Sequence, residues 1–323
     1  MQAEEFVQQL NTWGQHKVPF LFLIDFEWKK PMAWTMDQVH SDEMVFAING
    51  FSNAPNAKQI GGDIQLTTNP ISLKEYEHKF NTVYKHLSLG DSFLVNLTIK
   101  SEIEINHSLQ ELFYVSQAKY KCWLQNQFLF FSPEIFIQIR DQKIFSYPMK
   151  GTIDASIENA REIILANKKE LAEHITIVDL IRNDLSQVAS HVKISRFRYV
   201  EEIAAHDKKL LQVSSEIVGD LPDRFQSHLG NILFSLLPAG SVSGAPKKKT
   251  CQIISEAEGE ERGYYTGVFG YFDGENLDSG VAIRFIQQEG KNTYFRSGGG
   301  ITAQSHAEEE YIEAIQKIYV PIA

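Results

Sequence analysis

Lys150 lies in the run Ser146-Tyr147-Pro148-Met149-Lys150-Gly151-Thr152, directly after a β-like stretch at 143–145. A proline before it and a glycine after it predict a stiff loop, a seat from which a lysine amine could act as a nucleophile. Carboxylates gather in two other places: Glu173, within Glu170-Leu171-Ala172-Glu173-His174, and the acidic run Glu308 to Glu313. Glu310 and Glu313 are three apart and share a helix face, where like charges repel unless a cation lies between them. Carboxylate oxygens from two helices are the ligands Mg2+ prefers. Singly, each feature has an ordinary structural reading: Glu173 on a solvated helix face, the acidic run complementing a helix dipole, Lys317 paired with Glu313.

Two more clusters suit an anion. The segment Pro238-Ala239-Gly240-Ser241-Val242-Ser243-Gly244-Ala245-Pro246-Lys247 runs small residues into a proline-led helix start, which brings backbone N–H groups close to a negative charge. Gly240 and Gly244 are only four apart and Lys247 does not follow a glycine, which excludes a nucleotide P-loop. Arg284, expected on a strand beside Gly298, Gly299 and Gly300, could clamp a carboxylate through two parallel hydrogen bonds while the glycine backbone approaches the same anion. These residues together predict a pocket for a small carboxylated substrate, an oxygen-ligated cation and one nucleophilic lysine.

The elements that must position them follow from periodicity. Short apolar strands are expected at 18–24 and 43–48, a surface loop at 52–63, and a helix capped by Ser72 and Glu75 with Tyr76, Phe80, Val83 and Leu87 on one face. A strand over 92–105 and a helix over 108–116 precede a meander at 122–131, 135–139 and 143–145 that delivers Lys150. One long helix over 157–185 is expected, with Leu171, Ile175, Val178, Ile181 and Leu185 as its apolar stripe. Residues 192–200 read as strand, 210–218 as strand or helix, and 225–237 and 247–258 as helices. Strands at 267–272, 277–287 and 292–297, the glycine run and a last helix capped by Ser305 complete the chain. No linker or repeat divides it, so one α+β domain is expected over 1–323.

The 323 residues are 43% hydrophobic and 22% charged, an ordinary globular composition. A formal net charge of -10 argues against nucleic acid or an anionic membrane as partner, so attraction for an anionic ligand must come from local cations or a metal. Two cysteines, Cys122 and Cys251, give neither a disulfide framework nor a metal spacing, and a reducing, cytoplasmic setting is expected. The first residues lack the basic start of a signal peptide, and the apolar run ending at Ile24 is too short to span a bilayer.

At these motifs the sequence resembles the chorismate-utilising enzymes, from about residue 90 to the end. The likeness rests on Ser132-Pro133-Glu134, Pro148 to Thr152, Glu170 to His174, residues 177–185, Ser243 to Lys247, Arg262 to Tyr271, Val281 to Arg284 and Gly298 to Ile301. The resemblance implies an α+β fold of two antiparallel sheets wrapped by helices, with a shortened part at about 1–89 and a catalytic core at about 90–323. It implies chorismate as substrate, Mg2+ held by Glu173, Glu310 and Glu313, and carboxylate contacts from Tyr265, Arg284 and the Gly298, Gly299 and Gly300 backbone. Thr152, Ser243, Gly244, Ala245 and Lys247 would line the pocket.

Within that family a lysine at the position of Lys150 marks the members that aminate C4 of chorismate to 4-amino-4-deoxychorismate, the precursor of p-aminobenzoate and folate. The amine must be neutral to attack, so a lysine with a lowered pKa is expected. Leu94 stands where water-adding members carry a lysine base. Gln212, in Leu211-Gln212-Val213-Ser214-Ser215, stands where a histidine would assist departure of the hydroxyl, which leaves the acid unassigned. The chain has no glutaminase motif, so ammonia is expected from a separate glutamine amidotransferase subunit. The alternatives are anthranilate synthase component I and a catalytically silent chorismate-binding subunit.

Overall fold

The computed structural model describes residues 2–55, 62–205 and 208–322. In chain order it has α1 (Ala3–Gln15), β1 (Phe20–Ile24), β2 (Met32–Thr35), β3 (Met44–Ile48), β4 (Phe51–Ser52), β5 (Leu66–Asn69) and α2 (Leu73–Ser88). Next come β6 (Leu94–Ile105), α3 (Leu109–Val115), β7 (Tyr120–Leu124), β8 (Phe128–Ser132), β9 (Ile135–Arg140), β10 (Lys143–Ser146) and β11 (Met149–Asp154). Helices α4 (Ala160–Ala166) and α5 (Lys168–Leu185) lead to β12 (Ser190–Ala205), β13 (Lys208–Asp220), α6 (Leu229–Leu236), β14 (Gly244–Ala245) and α7 (Lys247–Glu258). The chain closes with β15 (Val268–Phe272), β16 (Leu277–Val281), β17 (Phe285–Glu289), β18 (Asn292–Ile301) and α8 (Ala307–Gln316).

The strands form two nine-stranded antiparallel sheets, ordered β11-β13-β10-β9-β16-β15-β1-β2 with β12 on β13, and β14-β6-β18-β17-β8-β7-β3-β4 with β5 on β6. They pack face to face under helices, which explains why β1 and β8, buried along their whole length, are nearly all apolar instead of alternating. In β1, Leu21 and Leu23 enter the core between the sheets beside Phe46, Phe130 and Phe269. Phe20, Phe22 and Ile24 point the other way, to a core shared with α1, α5 and α6. Helices α2, α7 and α8 cover Val95, Leu97 and Ile99 of β6.

The capped helix at 73–88 forms as expected, with Ser72 accepting from the Glu75 N–H and all four stripe residues buried. Residues 210–218 are strand. Other expectations are corrected. Residues 122–131 are a hairpin, turned where Asn126 adopts φ 56. The strands after it do not continue in one sheet, because the chain crosses between sheets at Ser132-Pro133-Glu134. Residues 157–185 are two helices broken at Asn167, whose side chain caps α5 by accepting from the Glu170 N–H. The expected stripe of α5 meets the core at Val178, Ile181 and Leu185, but near its start Ile175 is 49% exposed and His174 is buried. Residues 277–287 break at Ala282 to Arg284, a second crossing between sheets, so Arg284 lies in a bend with φ 53 and not on a strand. The three glycines lie inside β18, and Ser305 accepts from the Thr302 N–H instead of capping α8. The loop expected at 52–63 falls largely outside the described residues.

Between the sheets, Gly280 of β16 faces the ring of Tyr120 on β7, and a Cβ there would lie 2.5 Å from ring carbon. Tyr120 is fixed in turn by its hydroxyl, which donates to Asp278 Oδ1 at 2.6 Å. Gly280→Ala is therefore expected to cost about 1–3 kcal/mol. A lowered urea midpoint with an unchanged slope would show it, and an unchanged midpoint would refute this account of the contact.

Candidate active site

The crossings at Ser132-Pro133-Glu134 and at Ala282-Ile283-Arg284 are tied together. Val281 N donates to Glu134 O at 3.1 Å and Phe131 N donates to Arg284 O at 3.3 Å. Around this seam lie two adjoining cavities that share Glu134, Lys150, Ser241 and Gly300 in their walls. The first is mainly apolar, with Leu94, Phe136, Ile177 and Ile181, and also contains Glu173. The second is polar, with Tyr265, Arg284, Gly298, Gly299, Glu313 and Lys317.

Lys150 reaches both cavities from a β-bulge. Met149 pairs with Ser214 and Thr152 with Gln212, so one extra residue is inserted in β11. Gly151 absorbs the kink with φ +90, a conformation that disfavours a side chain. The Lys150 ammonium meets Glu173 Oε2 at 2.7 Å; the two side chains are 32% and 15% exposed. Burial alone would lower the lysine pKa, but Glu173, Glu170 and Glu313 outweigh it and hold it above its ordinary value. This corrects the expectation of a lowered pKa: in this state of the pocket Lys150 is charged, because its neighbours are anions.

At the polar end, Gly299 lets two carboxylates of α8 approach the sheet. A Cβ on it would lie 3.5 Å from Glu310 Oε2 and 3.4 Å from Glu313 Oε1. Lys317 Nζ bonds Glu313 Oε1 at 2.7 Å and Gly298 O at 2.9 Å. Among the described residues no group of three or more His, Cys, Asp or Glu is gathered to hold a metal ion. Lysines stand between the carboxylates instead. The donor set is nonetheless all carboxylate oxygen, which fits a hard cation such as Mg2+. Tyr265 is buried, and its hydroxyl is pushed up to about 12 by burial, so it stays protonated and able to donate to an anion.

Of the residues expected in the site, Lys150, Glu173, Tyr265, Arg284, Gly298, Gly299, Gly300 and Glu313 come together, with Glu310 beside Gly299. Others lie outside both cavity walls. Thr152 and Gln212 face each other across β11 and β13 beyond the bulge. Ser243 Oγ donates to Ala239 O at 2.9 Å, and Gly244 and Ala245 pair with β6. Lys247 is held by Asp184 Oδ2 at 2.8 Å and Leu236 O at 2.9 Å.

Glu134 and Glu170 were not expected in the site; Ser241 comes from the small-residue segment expected to suit an anion, and Lys317 pairs with Glu313 as its spacing suggested. Glu134 accepts a hydrogen bond from Ser241 Oγ, and burial raises its carboxyl pKa despite the nearby Arg284 and Lys317. Its signal in the sequence was an acid interrupting an apolar run at a Ser-Pro turn. Glu170 packs beneath Gly151, with Oε2 buried and unbonded.

A model of the chorismate binding enzyme family matches residues 23–323. The chain belongs to that family. It is 48% identical to a PabA-like protein of Haemophilus influenzae over 99% of this chain and 97% of that protein. It is 33% identical to aminodeoxychorismate synthase component 1 of Escherichia coli over 76% of this chain but only 56% of that protein. The anthranilate synthase component I of Streptococcus pneumoniae superposes with a TM-score of 0.66 at 26% identity, over 78% of this chain and 58% of that one. The fold is thus that of chorismate-utilising enzymes. No helix among the described residues is long and apolar enough to cross a membrane.

Helix α5, which carries Glu173, is anchored to the first sheet by His174. Ser215 Oγ accepts from Arg198 N at 3.0 Å and is hydrogen-bonded to His174 Nε2 at 2.7 Å. Burial, then Arg198, push the His174 pKa down from 6.5 to about 4. Between these values the unfolded chain binds a proton that the fold does not, so stability falls as pH falls through that window. His174→Gln is expected to flatten the fall, read from urea midpoints across the window; equal slopes in the two proteins would assign it elsewhere.

Proposed function

We propose that this chorismate-binding enzyme converts chorismate and ammonia to 4-amino-4-deoxychorismate, as component I of an aminodeoxychorismate synthase. The observation that carries the reading is Lys150 in the wall common to the apolar and polar cavities, where one ring-sized ligand would meet it. Its amine, once neutral, attacks C2 of the ring, the ring double bonds shift, and the C4 hydroxyl leaves. Glu134 supplies the acid that Gln212 cannot: burial raises its carboxyl pKa and so favours the protonated form, which gives a proton to the departing hydroxyl, releasing water. Ammonia then forms a bond to C4, the double bonds shift back, the C2–Nζ bond breaks, and the Glu134 carboxylate takes the proton from the incoming nitrogen.

Tyr265, Arg284 and the Gly298 to Gly300 backbone would bind carboxylate at the polar end, which explains how a chain of net charge -10 attracts an anion. Glu173, Glu310 and Glu313 would hold Mg2+, whose chemistry when bound is to bind the ring carboxylate and neutralise the acids that keep Lys150 charged. Ammonia would come from a glutamine amidotransferase subunit in a cytoplasmic complex.

The second reading is anthranilate synthase, favoured by the likeness to the Streptococcus pneumoniae enzyme. Incubation with chorismate, Mg2+ and ammonium separates them: 4-amino-4-deoxychorismate supports the proposal, whereas anthranilate with released pyruvate sinks it. Lys150→Ala and Glu134→Gln are each expected to slow formation of the product by about 100-fold or more, the scale of a lost nucleophile or acid. Chorismate binding should survive both changes. A wild-type rate in Lys150→Ala would remove the covalent step.

A further inference from the structure

A buried and fully hydrogen-bonded ion pair lies behind the polar cavity. Arg262 and Glu258 are one turn apart at the end of α7, with side chains 1% and 2% exposed. All five guanidinium N–H groups have acceptors. Nε donates to Glu258 Oε2 at 2.9 Å and Nη2 to Glu258 Oε1 at 2.6 Å. Nη2 also donates to Asn96 O at 2.7 Å, and Nη1 to Val242 O at 2.8 Å and to Thr266 Oγ1 at 3.4 Å. Glu258 Oε1 accepts in addition from Thr98 N and Oγ1, at 2.8 and 2.9 Å.

The two carbonyls belong to different parts of the pocket wall. Asn96 is on β6, opposite Gly300, and its own N–H donates to Ser243 O at 2.9 Å. Val242 follows Ser241, the partner of Glu134. Arg262 itself opens the turn that carries Tyr265, and Thr266 in that turn adopts φ 59. Three segments that are remote in sequence, at 96, 242 and 265, thus line one cavity and are joined behind it by a single guanidinium.

We infer that Arg262, held by Glu258, is a positioning residue for the ligand: by gripping the Asn96 and Val242 carbonyls it sets where Tyr265, Ser241 and the strand beside Gly300 stand. A buried ion pair adds little stability over well-packed apolar side chains, and its geometric specificity is the property that apolar replacements cannot reproduce. A lysine could keep the charge but not the planar fork that reaches both carbonyls and Glu258 at once.

The inference rests on chorismate as the ligand of this pocket, and the test separates the two. Chorismate binding in the presence of Mg2+ is measured by calorimetry, with thermal midpoints alongside, for wild type, Arg262→Lys, the double variant Glu258→Leu with Arg262→Met, and Thr98→Val. The double variant replaces both charges by apolar bulk, so it tests positioning if Arg262→Lys does not fold. Thr98→Val loosens the same buried network without touching either carbonyl contact. Arg262→Lys and the double variant are expected to weaken chorismate binding about tenfold or more, the scale of a lost charge-assisted hydrogen bond. Thr98→Val should lower the midpoint and leave affinity unchanged. A folded double variant with wild-type affinity overturns the inference, as does equal weakening by Thr98→Val. Wild type that binds no chorismate overturns the functional reading instead.

Discussion

Everything in the site depends on the seam where the chain passes from one sheet to the other. Two face-packed sheets need strands to cross between them, and here both crossings that flank the pocket, at Ser132-Pro133-Glu134 and Ala282-Ile283-Arg284, fall side by side and share backbone hydrogen bonds. A strand that leaves its sheet exposes backbone and opens space, and the fold uses that space for a ligand. Glu134 and Arg284 line the pocket because they are the residues at the crossings. The bulge at Lys150 and the glycines of β18 complete the opening from either side.

Within that opening, charge is arranged as an interleaved set. Carboxylates from α5 and α8 alternate with Lys150, Lys317 and Arg284, so a chain with excess acid keeps cations where an anionic ligand would lie. The same arrangement accounts for the direction of the Lys150 pKa. Desolvation acts on any buried amine, but three acids act on this one in the opposite sense and prevail.

Local patterns were legible wherever a residue's role depends on its near neighbours in the chain. The stripe of α2, its Ser72 cap and the helix at 247–258 follow from spacing alone. Legibility failed where burial comes from two sides. In α5 the stripe holds at Val178, Ile181 and Leu185 and fails at Ile175, where His174 is buried instead, hydrogen-bonded to Ser215 on a strand that only the fold brings near. The strand at 277–287 looked continuous because the apolar run Val281-Ala282-Ile283 leads on to Phe285-Ile286; its break at Ala282 to Arg284 reflects a change of sheet, which leaves no local trace.

By itself, then, the sequence determined the family, the α+β class and the candidate groups of the site: Lys150, the acids of the two helices, Arg284 and the glycine run, whose types and order are chemical facts of the chain. Only the tertiary structure decided which of them meet. It brought Glu134 and Lys317 into the pocket, set Lys247 against Asp184, left Thr152 and Gln212 outside the cavity walls, and kept Lys150 charged. The reason is physical: residue type fixes what a group can do, whereas pKa, partner and exposure are properties of its surroundings, assembled here from segments far apart in the chain.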